Sequence, residues 1–335
     1  MLHKTIAGLA LGVAMTTLMA APAFSADLVL YDALDFSGKV AKAFEAKTGL
    51  KVDVVEPGST GEVLGKIAAE GDNPQFDIVW LDGSAVMERM AANHVLQPIP
   101  GDVYDKAAFT DFGKSLIPAS HAFLPTGAST TAIEVNTKKV APDKAPKSWA
   151  DLTHFAGTVA AKDPNLSGPA YQWLAGFFQT NGIDAGKDLL GKVLTTKSLS
   201  GLSSGGKVNT AVLTGNASVG INQDSAIFAK IASGEPVIAV YPAEGSIALP
   251  QGLGISAKTN HMDAARKFID FVTSAEGQAA MQDGKDTDFF FMPVITGVKA
   301  KPGRQTEVAF VHLDDKVASA HETEWKQWYK DHFVP

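Results

Sequence analysis

Strand and helix patterns alternate along this chain with connections of only a few residues, and that alternation constrains its fold more than any other feature. Leu28-Val29-Leu30-Tyr31 is a short apolar run, followed by a helical pattern carrying Val40 and Phe44 that Thr48-Gly49 stops. Leu50 to Val55 alternates as a strand, Pro57-Gly58 breaks it, and Glu62 to Glu70 resumes helical spacing. Asp77-Ile78-Val79-Trp80 predicts a third strand and Ser84 to Asn93 a third helix. Repeated units of this kind predict an α/β fold, a mostly parallel sheet covered by helices.

The pattern restarts after Pro125-Thr126-Gly127, where Thr130 to Asn136 reads as extended. Ser148 is placed to cap a short helix with Asp151 as its third residue. Thr158 to Ala161 predicts a strand, and Pro169 to Gln179 a helix that Asn181-Gly182 ends. Strands follow at Ala217 to Ile221, Pro236 to Tyr241 and Leu253 to Ile255. Met262 to Thr273 is helical, with Ala265, Phe268, Ile269 and Val272 on one face. Trp325, Trp328, Tyr329 and Phe333 fit a terminal helix packing on a lobe. The 335 residues suffice for two lobes of ordinary domain size.

Met1 to Ala26 carries Lys4 and no acid, an apolar stretch from Ile6 to Met19, and the small-residue end Ala21-Pro22-Ala23-Phe24-Ser25-Ala26. It reads as a cleavable secretory signal cut after Ser25, so residues 1–25 are expected to be removed. Losing Lys4 makes the formal net charge of -7 one unit more negative. No later segment has the length of apolar chain a membrane span needs, so the mature chain is expected to be exported and soluble. The absence of cysteine excludes disulfides, thiolate metal sites, cysteine nucleophiles and a lipid-modified cysteine anchor. Lysines and arginines never run longer than a pair such as Lys138-Lys139, which leaves no basic stripe for nucleic acid.

Signatures of catalysis are missing. There is no Gly-x-Ser-x-Gly elbow, His-Glu-x-x-His, Walker lysine, or Gly-x-Gly-x-x-Gly after the first strand. The histidines are scattered singly, and Gly284-Lys285-Asp286-Thr287-Asp288 lacks the ligands of a calcium loop and reads as a solvated turn. Neither a catalytic residue, a metal ligand nor a cofactor is expected.

In open parallel sheets, ligands meet the carboxyl ends of strands, where helix N-termini also point. That rule selects Glu56 to Gly61, whose Ser59, Thr60 and Gly61 could donate to an anion, although Ser59 or Thr60 serves equally as a helix cap. Lys162 to Tyr171 is a second loop of this kind, with Ser167 at the cap, Gly168 free to approach a ligand and Pro169 in the first turn. Two such helix ends, one in each half, suggest a ligand gripped between lobes. Other strand ends contribute Asp35, Asp82, Ser129, Asp224, Tyr241 and Glu244, residue types that also serve as caps and turns.

Several segments together resemble the extracellular solute-binding proteins of bacterial ABC importers, in the branch that holds ferric-ion, phosphonate and sugar-phosphate binders. They are Phe44-Glu45-Ala46-Lys47-Thr48-Gly49, Gly71 to Trp80, Lys162-Asp163-Pro164 with Ser167-Gly168, and Ala264 to Phe271 with Ser274 to Gln278. The resemblance implies a periplasmic, non-enzymatic, monomeric protein of the two-lobed type II fold, joined by crossover hinge strands and delivering its ligand to an inner-membrane permease. It implies an N-terminal lobe of residues 26–128 and 246–295 and a C-terminal lobe of 129–245 and 296–335. Ferric binders carry adjacent tyrosines where this chain has Asn222-Gln223-Asp224, which argues against iron. Ser59-Thr60-Gly61 and Ser167-Gly168 instead resemble the donors of phosphonate and organophosphate binders. These donors could hold a dianion without lysine or arginine, leaving Asp35, Asp82, Asp224 or Glu244 for a ligand ammonium. The first ligand suggested is 2-aminoethylphosphonate. A sugar phosphate, a ferric ion or polyamine, and a secreted phosphate-ester hydrolase are the alternatives.

Overall fold

The structure is a computed structural model that describes residues 26–195 and 197–334. The signal expected at residues 1–25 lies outside the described residues. The first half runs β1 (Leu28–Asp32), α1 (Ser37–Thr48), β2 (Val52–Val55), α2 (Thr60–Glu70), β3 (Ile78–Asp82) and α3 (Ser84–Ala92). Three short elements follow, β4 (Leu96–Gln97), α4 (Gly101–Lys106) and α5 (Asp111–Ser115), before the long crossover strand β5 (Leu124–Asn136). The second half holds α6 (Trp149–Leu152), β6 (Val159–Lys162), α7 (Gly168–Asn181), α8 (Ile183–Val193), β7 (Leu199–Leu202), α9 (Gly205–Thr214), β8 (Val219–Gln223), α10 (Asp224–Ala232) and β9 (Val237–Val240). The chain returns through β10 (Ser246–Ser256) to α11 (Met262–Val272), α12 (Ala275–Gln282) and a 3-10 turn at Thr287–Phe290, then crosses again to β11 (Phe310–Val311) and α13 (Asp315–Phe333).

The main sheet path is β2-β1-β3-β10-β5-β8-β6-β7. The ladders β1–β2, β1–β3, β6–β7 and β6–β8 are parallel. Among the described residues, every antiparallel ladder between named strands involves β5 or β10. Two parallel α/β lobes are therefore joined through the paired crossovers, with Ala248 opposite Thr130 and Leu253 opposite Leu124. Both crossovers are buried along their whole length.

Each lobe has its own apolar centre. Leu28, Leu30, Phe36, Phe44, Trp80 and Phe268 pack in one, and Trp149, Trp173, Phe178, Val219, Trp325 and Tyr329 in the other. The alternating buried strand positions and the apolar face of α11, with Ala265, Phe268, Ile269 and Val272, supply the first of these as the periodicity requires. The terminal helix α13 buries Ala318, Trp325 and Tyr329 against the second. Among the described residues, no helix is long and apolar enough to cross a membrane.

Candidate functional site

The two helix ends singled out by the strand-end rule meet across the interlobe cleft. A Cβ placed on Gly168 would lie 3.0 Å from Thr60, and one on Gly61 would lie 3.4 Å from the Leu166 carbonyl. A larger residue at Gly168 would require the Thr60 side chain opposite to give way by a few tenths of an ångström. At α2, Ser59 is extended, accepts from the Glu62 N–H at 3.3 Å and donates to the Glu62 carboxylate at 2.9 Å, a reciprocal cap. At α7, Ser167 accepts from the Ala170 N–H at 3.4 Å. Both serines hold their helices, and the groups left to face a ligand are the Thr60 hydroxyl and the N–H groups of Thr60, Gly61 and Gly168. Pro169 has no N–H, so α7 presents fewer free donors than α2.

Beside these helix ends is a group of buried charges. Asp82, the last residue of β3, accepts from Gln223 Nε2 at 3.0 Å through one oxygen, while its other oxygen, Oδ1, is buried with no hydrogen-bond partner among the described residues. Gln223 ends β8 in the other lobe, and its Oε1 accepts from Lys162 Nζ at 2.9 Å. The same Gln223 amide lies 3.4 Å from Ser129 Oγ on β5. Lys162 ends β6 and is 5% exposed. Burial lowers its pKa to about 8, against the pull of Asp82 and Asp288. Asp82 is raised to about 7 by burial, with Gln223 and Lys162 opposing the rise.

Two further carboxylates complete this face. The Asp35 N–H donates to Asp288 Oδ2 at 2.9 Å, and backbone groups of Asp288 and Thr287 return hydrogen bonds to Asp35. Asp35 stands at the rim and Asp288 is buried; burial raises both, and Asp82 and Asp35 push Asp288 higher. Asp32 is also raised well above its usual range by burial, but Ser37 and the Leu34 N–H hold it as the brace of the β1–α1 turn. Asp288 corrects the expectation of a solvated turn at Gly284 to Asp288, because the 3-10 turn folds it inward against Asp35.

The remaining candidates occupy other surroundings. Asp224 accepts from Arg304 Nη2 at 2.6 Å, Tyr241 Oη at 2.9 Å and the Thr130 N–H at 3.0 Å, and neither Asp224 nor Arg304 exposes any side chain. Tyr241 is thereby tied to Asp224. Glu244 caps α6, accepting from the Trp149 N–H at 3.1 Å. The site thus brings together Asp35, Thr60, Gly61, Asp82, Ser129 and Gly168, while Ser59, Ser167, Asp224, Tyr241 and Glu244 are engaged in holding the protein itself. Lys162 and Asp288 are the residues sequence reasoning passed over. Lys162 opens the loop that the strand-end rule selected, directly after the predicted strand Thr158 to Ala161, but its side chain was not among the donors weighed; Asp288 lay in a stretch read as a solvated turn. Among the described residues, no group of three or more His, Asp or Glu side chains is arranged to hold a metal ion.

Two parallel α/β lobes on paired crossovers, with donors and charges converging where they meet, define a two-lobed binding protein. Residues 39–311 match the family described as bacterial extracellular solute-binding protein, and the chain belongs to that family. A Haemophilus influenzae protein described as uncharacterized is 30% identical over 245 residues, 71% of this chain and 69% of its own length. The "Probable ABC transporter periplasmic-binding protein y4fP" of Sinorhizobium fredii is 24% identical over 93% of this chain and 85% of its own. Among solved structures, the periplasmic binding protein AfuA of Actinobacillus pleuropneumoniae, with exogenous fructose-6-phosphate bound, superposes with a TM-score of 0.80 at 23% identity, covering 91% of this chain and 98% of its own. Iron-bound HitA of Pseudomonas aeruginosa gives 0.76 at 20% identity, covering 90% and 98%. These structural likenesses establish the type II fold and leave the ligand open.

Proposed function

We propose that the chain is the periplasmic solute-binding component of an ABC importer and that its ligand is a small dipolar solute, with a phosphonate or phosphate head and an ammonium tail. The first choice is 2-aminoethylphosphonate. The observation that carries this reading is the unpartnered Oδ1 of buried Asp82, on a carboxylate face opposed only through Gln223 by Lys162. A buried acceptor without a donor costs about 1–3 kcal/mol, and a ligand ammonium would supply the donor. Asp35, Asp82 and Asp288 are the residues proposed for the ammonium. The Thr60 hydroxyl, the free N–H groups of Thr60, Gly61 and Gly168, and Lys162 are proposed for the anion. Lys162 revises the expectation that neutral donors alone would hold it. Ser129 orders Gln223, while Ser59 and Ser167 keep the helix ends in place. Asp224, Tyr241 and Glu244 support the surrounding loops.

In this reading the leader is removed after Ser25, and the mature monomer opens and closes on β5 and β10 and hands its ligand to an inner-membrane permease. Isothermal calorimetry with 2-aminoethylphosphonate, ethylphosphonate, ethylamine and glucose 6-phosphate tests it. The aminophosphonate should bind tightest, and at 100 times its Kd should stabilise the protein by about 2.7 kcal/mol. No heat and no thermal shift with millimolar 2-aminoethylphosphonate would reject that ligand. A preference for glucose 6-phosphate would assign the same carboxylates to sugar hydroxyls.

A further inference from the structure

We propose that α13 is a latch between the lobes, with Arg89 and Glu322 as its positioning pair. α13 is anchored in the second lobe by Ala318, Trp325 and Tyr329, by a hydrogen bond from Tyr171 Oη to the Ala318 carbonyl, and by another from Tyr329 Oη to the Ser200 carbonyl at 2.9 Å. α3 is anchored in the first lobe by Val86, Met87 and Met90. The two helices meet along α13's polar side. Arg89 Nη1 lies 2.9 Å from Glu322 Oε2, and Ser84 donates to Asp315. Gln172 of α7 reinforces the corner, donating to Ser84 Oγ at 2.8 Å and accepting from the Ala85 N–H at 3.3 Å. Each of these contacts, an ion pair at Arg89 and Glu322 and hydrogen bonds at Ser84 and Gln172, joins a residue fixed in one lobe to a residue fixed in the other, so separating the lobes breaks them.

The charge arrangement suits a reversible latch. Glu322 is 3% exposed, but Lys326, one turn further along α13, holds its other oxygen. When α3 withdraws, Glu322 keeps Lys326 and gains water, so Arg89 contributes to the closed form without being needed for the fold. Glu322 and Lys326 also line the crevice that contains Thr60, Gly61 and Gly168. A ligand that binds only the closed form has an apparent affinity scaled by the closed fraction, so the latch would set affinity without touching the ligand.

The test needs no ligand. The chain has no cysteine, so exposed Asp53 on β2 and Lys192 on α8 can be replaced by cysteine and labelled with a donor and an acceptor dye. Single-molecule energy transfer should show a closed population in the otherwise unaltered protein. Arg89→Ala should lower the closed-to-open ratio by about five- to tenfold, the scale of a coupled pair in contact. Arg89→Lys should recover most of the closed fraction, and Ser84→Ala should give a smaller loss. A protein with no closed population, or an Arg89→Ala distribution superimposable on its parent whatever happens to thermal stability, would overturn the latch.

Discussion

Asp82 and Asp224 occupy matching places in the two halves of the molecule, and the structure treats them oppositely. Each sits where a strand gives way to a helix, at β3–α3 and at β8–α10, and each is buried. Asp224 is saturated, with a guanidinium, a phenol and a backbone N–H on its oxygens. Asp82 has one neutral amide and, among the described residues, no partner for its other oxygen. Position and burial therefore do not distinguish these two acids; the partners already in place do. Asp224 braces the return segment through Arg304, which also donates to the Phe290 carbonyl at 2.8 Å. Asp82 keeps an unused acceptor, which the proposed function assigns to a ligand cation.

The largest effect that would test this contrast is on stability. Asp224→Asn leaves the Arg304 guanidinium buried without its counter-charge, and breaking such a pair costs about 3–5 kcal/mol. Urea unfolding should register that loss, whereas Asp82→Asn should be neutral or stabilising because it removes a poorly satisfied buried charge. Equal losses from both substitutions would erase the distinction between the two acids.

Ligand binding should show the reverse order. Asp82→Asn should weaken 2-aminoethylphosphonate by about 1.5–3 kcal/mol, the range for a hydrogen bond to a charged group, and leave ethylphosphonate nearly unchanged. Calorimetry with the two ligands separates these outcomes, and equal weakening of both would move Asp82 from the ammonium to the shape of the cleft.

A titration of stability without ligand gives a third comparison. Asp82 is raised to about 7, first by burial, and Asp288 and Asp32 are raised well above their usual range for the same leading reason. Unfolded, these groups lose their protons near pH 4, as ordinary aspartates do at about 3.9. Between that pH and about 7 the folded protein holds more protons than the unfolded chain, so stability falls as pH rises through this window. Each group contributes a slope of up to about 1.4 kcal/mol per pH unit, and Asp82→Asn should flatten the profile measurably. A profile that rises over the same interval would mean that these carboxylates are better satisfied in the fold than their surroundings indicate.

Much of this was legible in the residues. The β-α alternation, the caps at Ser59, Ser148 and Ser167, and the pairing of two helix ends follow from local chemistry that the chain carries wherever it goes. What separates Asp82 from Asp224 does not. It depends on Arg304, distant in sequence and delivered by the third crossing of the chain, and on Gln223 reaching across from the opposite lobe. Asp288 was illegible for the same reason, since only the folding of the 3-10 turn against Asp35 turns a polar stretch into part of the cleft. Glu244 shows the limit of the strand-end rule, which found a loop carboxylate but not the α6 N–H groups it was already serving.

The smallest expected effect concerns the other end of the ligand. Thr60 is 6% exposed, its hydroxyl makes no hydrogen bond among the described residues, and its side chain rests against Gly168. Thr60→Val keeps that shape and contact and removes only the hydroxyl donor, so the fold should be unaffected. Losing one donor to an anionic head should cost about 1.5 kcal/mol, the low end of the range for a hydrogen bond to a charged group, or about tenfold in Kd. Unlike Asp82→Asn, the change should weaken 2-aminoethylphosphonate and ethylphosphonate by the same factor, because both present the same head. If only the aminophosphonate weakened, Thr60 would belong with the carboxylates; if neither did, the anion would rest on Lys162 and the backbone N–H groups alone.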